Sequence, residues 1–134
     1  MDLCIIDPRK AQPAHAPSLE LFTAHTMVHR ISEALGTDTV SVNVLYFDPG
    51  ARSRPHAHDS DQILYYYDGA GVVAVDGGAD RLVQPGEFVM LPANVVHMHG
   101  AAPGVSASHI SLMPIQHTTD FSCPLPAAWA HWRP

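Results

Sequence analysis

The chain has 134 residues, which fits one domain, because single domains usually span roughly 100–200 residues. Hydrophobic residues make up 46% and charged residues 15%, a balance that provides a folded core and argues against a disordered chain. The formal net charge is -6 and Lys10 is the only lysine, so the sequence offers no basic face for nucleic acid or an anionic membrane. A small molecule is the expected partner.

The two ends of the chain carry few targeting or redox signals. An acidic residue at position 2, Pro8 and the absence of a long apolar stretch predict neither a signal peptide nor a membrane span, and hence a cytoplasmic protein. The two cysteines, Cys4 and Cys123, are too few and too far apart for a disulfide framework. A single bridge between the termini stays open as an alternative.

Proline and glycine punctuate short apolar runs from Gly36 onward, a pattern typical of an all-β sandwich or barrel. Before that point, Thr23 to Leu35 fits either a strand pair or a short helix, and we predict a strand at Thr26 to Ile31. After it, Asp76-Gly77 indicates a hairpin turn with positive φ. The predicted strands are Thr39 to Phe47, Arg52 to Ala57, Gln62 to Tyr67, Gly71 to Val75, Arg81 to Gln84, Glu87 to Leu91, Val96 to Gly100 and Ser106 to Met113. The chain then ends in a docked tail, with a helical turn at Ala127 to His131.

Ten histidines are the unusual feature of the composition, because histidine is the commonest metal ligand. Residues two apart on a strand share a face, so His56 and His58 point together, as do His97 and His99. Gln62 opens the strand after the first pair. Two such pairs on separate strands predict a metal site inside a barrel. For the other histidines we favour surface or hydrogen-bonded positions: His15, His25, His29, His109, His117 and His131.

These residues resemble the two sequence motifs of the cupin superfamily. The first motif, G-x5-H-x-H-x3,4-E-x6-G, is matched in GARSRPHAHDSDQILYYYDG by Gly50, His56, His58, Gln62 and Gly69. The second, G-x5-P-x-G-x2-H-x3-N, is matched in GEFVMLPANVVHMHGA by Gly86, Pro92 and His97. The resemblance implies an all-β fold, a small antiparallel β-barrel of the jelly-roll-like, double-stranded β-helix type. It also implies a homodimer and one divalent metal ion held by His56, His58, Gln62 and His97.

The resemblance further predicts a single cupin domain over residues 1–134. We expect the barrel core at about 36–116, an N-terminal arm at 1–35 and a C-terminal tail at 117–134. A strand in the arm needs an edge to pair with, which adds support for the homodimer.

Three positions depart from the motifs: Gln62 replaces the acidic ligand, Asn94 a glycine, and Ala101 an asparagine. Asparagine tolerates positive φ better than most residues, so the change at position 94 is mild. Three imidazoles and a neutral amide leave the charge of a divalent ion uncompensated, which makes the ion a stronger Lewis acid. An imidazole-rich shell favours zinc first, then nickel or iron, then copper, with manganese last.

Several residues near this site are candidates for catalysis or substrate binding. His99 is a candidate acid/base, a fourth imidazole ligand, or a partner of a backbone carbonyl. Tyr66 shares a strand face with Gln62 and is a candidate catalytic group. Arg54, or Arg52, is a candidate anchor for a carboxylate or phenolate at the rim. For Phe88 and Met90, on the strand of the second motif, we expect core packing.

Three functions remain open from the sequence, because fold alone does not choose among them. The first is a metal-dependent enzyme that carries out Lewis-acid proton transfer, cyclisation or isomerisation on a small enolic or phenolic substrate. The second is a dioxygenase that uses iron, nickel or copper on a diketone or an aromatic ring. The third is a metal or ligand-binding module without turnover. The sequence lacks a G-x-S-x-G motif, a phosphate-binding loop and a dinucleotide fingerprint.

Overall fold

The protein is described from a computed structural model, which covers residues 3–11 and 21–130. Short helices lie at α1, Pro8–Ala11, and α2, Ile31–Leu35, and a 3-10 turn lies at Ala127–Trp129. The strands are β1 Thr26–Arg30, β2 Val40–Phe47, β3 Ala57–His58, β4 Gln62–Gly69, β5 Gly71–Val75, β6 Arg81–Val83, β7 Phe88–Leu91, β8 His97–Ala101, β9 Ala107–Pro114 and β10 Thr119–Asp120.

The strands form antiparallel sheets, so the all-β class predicted from the sequence is confirmed. A five-stranded sheet has the order β1-β2-β9-β4-β7, a three-stranded sheet has the order β6-β5-β8, and β10 pairs with β3. The predicted strand at Arg52 to Ala57 is wrong in part. Pro55 lacks an N–H for a ladder, and the segment joins β8 only through isolated bridges at Arg52 and His56 before β3 begins.

The core lies between the two larger sheets. Its largest fully buried apolar side chains are Phe47, Leu64, Tyr66 and Leu91, each at 2% exposure or less. Each such side chain stabilises the fold by about 1.5–3 kcal/mol relative to an exposed position. These residues alternate along their strands with more exposed ones, which is why the period-two pattern of the sequence located the strands correctly.

The core packing predicted for Phe88 and Met90 is wrong. Both side chains are mostly exposed, at 69% and 57%. They lie on the outer face of β7, an edge strand, whereas Val89 and Leu91 point to the core. The strand was predicted correctly, but its two faces were interchanged. Because successive side chains point to opposite faces, this error places Phe88 and Met90 inside when they lie outside.

The predicted strand of the N-terminal arm is confirmed as β1, and it finds its partner within the same chain. β1 pairs with β2 along its whole length, from Thr26 opposite Phe47 to Arg30 opposite Asn43. α2 follows directly and ends at Gly36, whose φ of 74° places it in the left-handed region. The arm therefore gives no independent reason for dimerisation, and the homodimer stays a prediction from the family resemblance.

The C-terminal tail docks on the three-stranded sheet through Trp129, as predicted for this segment. Trp129 is 3% exposed, packs with Ala74 and Met98, and donates a hydrogen bond from Nε1 to the Gly78 carbonyl at 3.0 Å. The last four residues, including His131, lie outside the described part of the chain. Cys4 and Cys123 are both free, so the alternative bridge between the termini is not formed.

Replacing Trp129 by Phe tests this docking contact. We expect Trp129→Phe to lower the free energy of unfolding by about 1–3 kcal/mol, because the Gly78 carbonyl loses its donor and part of the aromatic surface is lost. Urea denaturation followed by far-UV circular dichroism measures the change. Leu125→Ala is the matched control, since that side chain is 41% exposed and should cost less than about 1 kcal/mol. An equal effect of the two substitutions would contradict a docked tail.

Candidate metal centre

Backbone pairing brings the two histidine pairs of the sequence together. The His56 N–H donates to the His97 carbonyl at 3.1 Å, and the His97 N–H donates to the His56 carbonyl at 2.8 Å. His58 and His99 follow two residues further along their segments, so all four imidazoles reach the same side. Each of the four is at most 8% exposed.

The four rings form one cluster inside the barrel. Ring centroids lie 4.3 Å apart for His56 and His97, 4.9 Å for His56 and His58, and 5.3 Å for His58 and His97. Potential ligand nitrogens of His56, His97 and His99 lie within 4.8 Å of one another, so this group contains His99, the candidate fourth ligand, in place of His58. Such a spacing suits imidazoles around a single ion, because metal–nitrogen distances near 2 Å place two ligand atoms about 3–4 Å apart.

Hydrogen bonds at Nδ1 orient three of these rings. His56 Nδ1 lies 2.6 Å from the Arg54 carbonyl and His97 Nδ1 lies 3.1 Å from the Val95 carbonyl, so both rings carry their proton on Nδ1. His58 Nδ1 lies 2.8 Å from Thr119 Oγ1, in β10. These contacts leave the Nε2 lone pairs of His56 and His97 for another partner, the arrangement found in metal-ligating histidines.

Four buried side-chain polar atoms of the described residues have no hydrogen-bond partner. His109 Nδ1 is one of them, and the other three, His58 Nε2, His97 Nε2 and Gln62 Oε1, lie around the two histidine pairs. Gln62 Nε2 donates to Ser111 Oγ at 2.7 Å, which fixes the amide. An unpaired buried polar atom costs about 1–3 kcal/mol, so several in one place need an explanation. A divalent ion between these atoms would satisfy them, and the donor set therefore fits a metal.

Burial keeps the imidazoles uncharged at neutral pH. It lowers the pKa of His56 to about 3 and the pKa of His97 to about 4, and the neighbouring imidazoles add to both effects. Burial also lowers the pKa of His58 to about 4. A metal binds neutral imidazole, so no proton has to leave before an ion enters at pH 7.

His109, in β9, joins the cluster from the opposite sheet, which the sequence analysis missed. It is fully buried, and its Nε2 lies 3.0 Å from His99 Nδ1. Burial lowers the pKa of His109 to about 3. The sequence signal was present, because His109 shares strand parity with Ser111 and Met113, which face the same interior. His117 was also missed, and its ring lies 5.5 Å from that of His58.

Of the other predicted site residues, Tyr66 meets the histidine cluster only through its ring, whose centroid lies 4.9 Å from that of His109. Tyr66 is 1% exposed within the core, its hydroxyl donates to the Gly100 carbonyl at 3.0 Å, and burial raises its pKa. Arg52 forms two hydrogen bonds with Asp80, at 2.8 and 2.5 Å, beside another surface pocket. Arg54 supplies its carbonyl to His56, but its side chain does not line the cavity described next.

A cavity of about 240 Å³ opens onto the histidine cluster. Its walls come from β1, β2, β4, β9 and the segment around β10, and no Asp or Glu is among the described residues that line it. The lining residues are Leu21, Phe22, Val28, Arg30, Ser41, Asn43, Leu45, Ser53, His56, His58, Gln62, His99, Ser111, Met113, His117 and Phe121.

No helix of residues 3–11 and 21–130 has the length and apolarity needed to cross a bilayer.

A comparison with known protein families identifies the family of this chain. Residues 43–110, just over half of the chain, match the sequence profile of the family described as Cupin domain. The chain belongs to the cupin family. The match begins in β2 and ends in β9, so it includes every residue of the histidine cluster.

Three similar proteins illustrate the range of proteins that this cupin matches in sequence or in fold. It is 31% identical over 91 residues to an (R)-mandelonitrile lyase of Granulicella tundricola, covering 68% of this chain and 70% of the relative. A cupin-like protein from Thermotoga maritima is 30% identical with a TM-score of 0.74, over 81% of this chain and 84% of that one. The polyketide cyclase RemF from Streptomyces resistomycificus has a TM-score of 0.80 at 16% identity, over 96% and 91% of the two chains, and shows likeness of fold alone.

Proposed function

We propose that this cupin is a metal-dependent enzyme that promotes proton transfer on a small enolic or phenolic substrate, in a cyclisation, an isomerisation or a lyase reaction. His56, His58, Gln62 and His97 hold the ion, with zinc preferred. The observation that carries the proposal is the convergence of buried acceptor atoms without partners, His58 Nε2, His97 Nε2 and Gln62 Oε1, beside a cavity that His58 and Gln62 line.

The neutral ligand set supports proton-transfer chemistry. A divalent ion bound there supplies Lewis acidity, which lowers the pKa of a hydroxyl or enol and stabilises the anion that forms. No described carboxylate lines the cavity to offset that charge. The 31% identity to a lyase supports the same class, since cleavage of a hydroxynitrile begins with loss of a hydroxyl proton.

His99 is the proposed acid/base. Its ring lines the cavity, and in the tautomer that donates its Nδ1 proton to His109 Nε2, at 3.0 Å, the Nε2 lone pair of His99 is left to accept a substrate proton. Burial lowers the pKa of His99 well below that of a free histidine, so the ring is an unprotonated base at neutral pH. The hydroxyl of Tyr66 faces backbone carbonyls in the core, and we assign it no catalytic role.

Elemental analysis is the first test of this function. Protein purified without a histidine tag and without added metal should carry about one divalent ion per chain, zinc above the others. His97→Ala should lower the metal content at least tenfold and abolish turnover, while circular dichroism stays unchanged. His25→Ala is the matched control, because that ring is exposed and contacts only Asp48 among described charged groups. Release of benzaldehyde from (R)-mandelonitrile serves as the first activity assay.

The remaining functions are outcomes of the same measurements. If the purified protein contains iron or copper and consumes oxygen with a diketone or a catechol, it is a dioxygenase and our proposal is wrong. A full metal complement without turnover on any enolic or phenolic compound would favour a binding module. If His97→Ala keeps its full metal content, the metal is not bound at the proposed site.

A further inference from the structure

One charged side chain is found among the described residues that line the cavity, beside histidines that burial keeps neutral. Arg30, at the end of β1, is the only Lys or Arg among the described lining residues, and no Asp or Glu lies among them. The whole chain carries a formal charge of -6, so this interior is electrically unlike the rest of the molecule. A cavity with one guanidinium and no carboxylate attracts an anionic ligand.

The strand register places Arg30 at one end of a row of polar side chains. Arg30 lies opposite Asn43 on β2, and Asn43 lies opposite Ser111 on β9. Ser111 Oγ in turn accepts the hydrogen bond from Gln62 Nε2 at 2.7 Å. Neighbouring strands are about 4.8 Å apart, so the row runs about 10 Å from Arg30 to Ser111 before it reaches the proposed metal ligands.

The rest of the lining is apolar. Phe22, Val28, Leu45, Met113 and Phe121 line the cavity, and the rings of Phe121 and His56 lie 5.4 Å apart. A ligand that fits this space has an apolar or aromatic body between two polar ends. The ligand must be long enough to span the row of polar side chains, because one of its ends meets the histidine cluster and the other meets the guanidinium of Arg30.

Arg30 is available for a ligand. In the structure its Nη1 lies 3.4 Å from Glu33 Oε1, three residues away on α2, and the two side chains are 57% and 68% exposed. An exposed ion pair of this kind contributes less than about 1 kcal/mol. A carboxylate inside the cavity accepts two N–H groups of the guanidinium fork, which is a stronger arrangement than this single contact.

We propose that Arg30 is the substrate anchor of this cavity and that the substrate class is small carboxylates with an apolar or aromatic body, whose other end carries the enolic or phenolic oxygen. The Asn43 amide lies next to Arg30 in the row and supplies a second donor. This inference rests on the proposed function only for the opposite end of the substrate, which lies at the histidine cluster. Arg30 takes the role that the sequence analysis gave to Arg54.

Binding of two probes of equal size tests the anchor without turnover. We use phenylacetate and phenylacetamide, which share a phenyl body and differ in charge, with isothermal titration calorimetry on the metal-loaded and the chelator-stripped protein. Phenylacetate should bind at least tenfold more tightly than phenylacetamide in both forms. Arg30→Gln should remove that preference and leave phenylacetamide binding unchanged.

Two matched variants complete the test. Arg81→Gln removes the same charge from the exposed strand β6, outside the cavity, and should keep the preference. Glu33→Gln should keep or increase it, because the competing carboxylate is gone. A preference that survives Arg30→Gln, or that is equally lost in Arg81→Gln, overturns the anchor. A preference that disappears on metal removal alone assigns the carboxylate to the ion and also overturns the anchor, while leaving the proposed function intact.

Discussion

Acidification from pH 7 to pH 5 is expected to lower the free energy of unfolding of the metal-free protein by at least about 6 kcal/mol. Burial holds the pKa values of His56, His97 and His109 near 3 to 4, which accounts for this loss, and His58, whose pKa burial lowers to about 4, adds to it. In the unfolded chain each returns to the ordinary value of about 6.5. Most of the stability of a typical domain, about 5–15 kcal/mol, is at risk in this range.

The direction follows from proton binding. Below pH 6.5 the unfolded chain takes up a proton on each of these imidazoles, whereas the folded chain keeps them neutral until the pH reaches 3 to 4. Stability is therefore full above about pH 6.5 and falls as the pH is lowered towards 4. Each histidine contributes roughly 2 kcal/mol of the loss at pH 5.

Urea denaturation at half-unit steps from pH 7.5 to pH 4.5 measures this loss. His109→Gln should reduce the slope between pH 6 and pH 4 by about 1.4 kcal/mol per pH unit, because one titrating group is gone. His25→Gln is the control, since its side chain is 58% exposed, and it should leave the slope unchanged. A free energy of unfolding that is constant from pH 7 to pH 5 would contradict neutral, buried imidazoles. Saturation with zinc should raise the whole curve above pH 6.

Local sequence signals predicted the strands and turns well, because they depend on neighbours in the chain. Asp76 and Gly77 have φ values of 50° and 74°, as the predicted hairpin requires, and Asn94 has a φ of 64°, as expected for a residue in the place of a glycine. The cupin motifs predicted the family, and they also predicted that the two histidine pairs lie at one site. Turn chemistry and side-chain alternation act over a few residues, and a single sequence displays them directly.

The parts that the sequence analysis missed depend on register between distant strands. His109 reaches His99 because β9 lies beside β2 and β4 in the sheet, and Arg30 reaches the cavity because it lies opposite Asn43, which lies opposite Ser111. These contacts join residues 10 to 68 positions apart in the chain, beyond the reach of a local pattern. For Phe88 and Met90 the strand was predicted correctly, but which of its faces is buried depends on the sheet that packs against it.

Replacing Gly100 by Ala is expected to lower the free energy of unfolding by more than about 3 kcal/mol, because a side chain at this position has no room. A Cβ atom on Gly100 would lie 2.1 Å from the Ala51 carbonyl oxygen and 2.8 Å from the Arg52 Cα. Both are backbone atoms of the strand segment that bridges to β8, so neither can move aside alone.

The same substitution should also weaken metal binding. Separating β8 from the segment at Arg52 moves His99 and His97, which precede Gly100 on the strand, relative to His56 on the other side of the bridge. Metal ligands displaced by even 1 Å lose much of their affinity, because ligand geometry is tightly constrained. We expect at least a tenfold loss in zinc affinity in the fraction that stays folded, measured by competition with a chromophoric chelator.

Gly104→Ala separates crowding from backbone strain. Gly104 has a φ of 78° and nothing within 4 Å of an added Cβ, so its substitution costs only the left-handed conformation, about 1–2 kcal/mol. It lies in the turn between β8 and β9, and zinc affinity should stay at the wild-type value. Equal losses of stability in the two variants, or unchanged zinc affinity in Gly100→Ala, would show that the contact with Ala51 does not hold the histidine pairs in register.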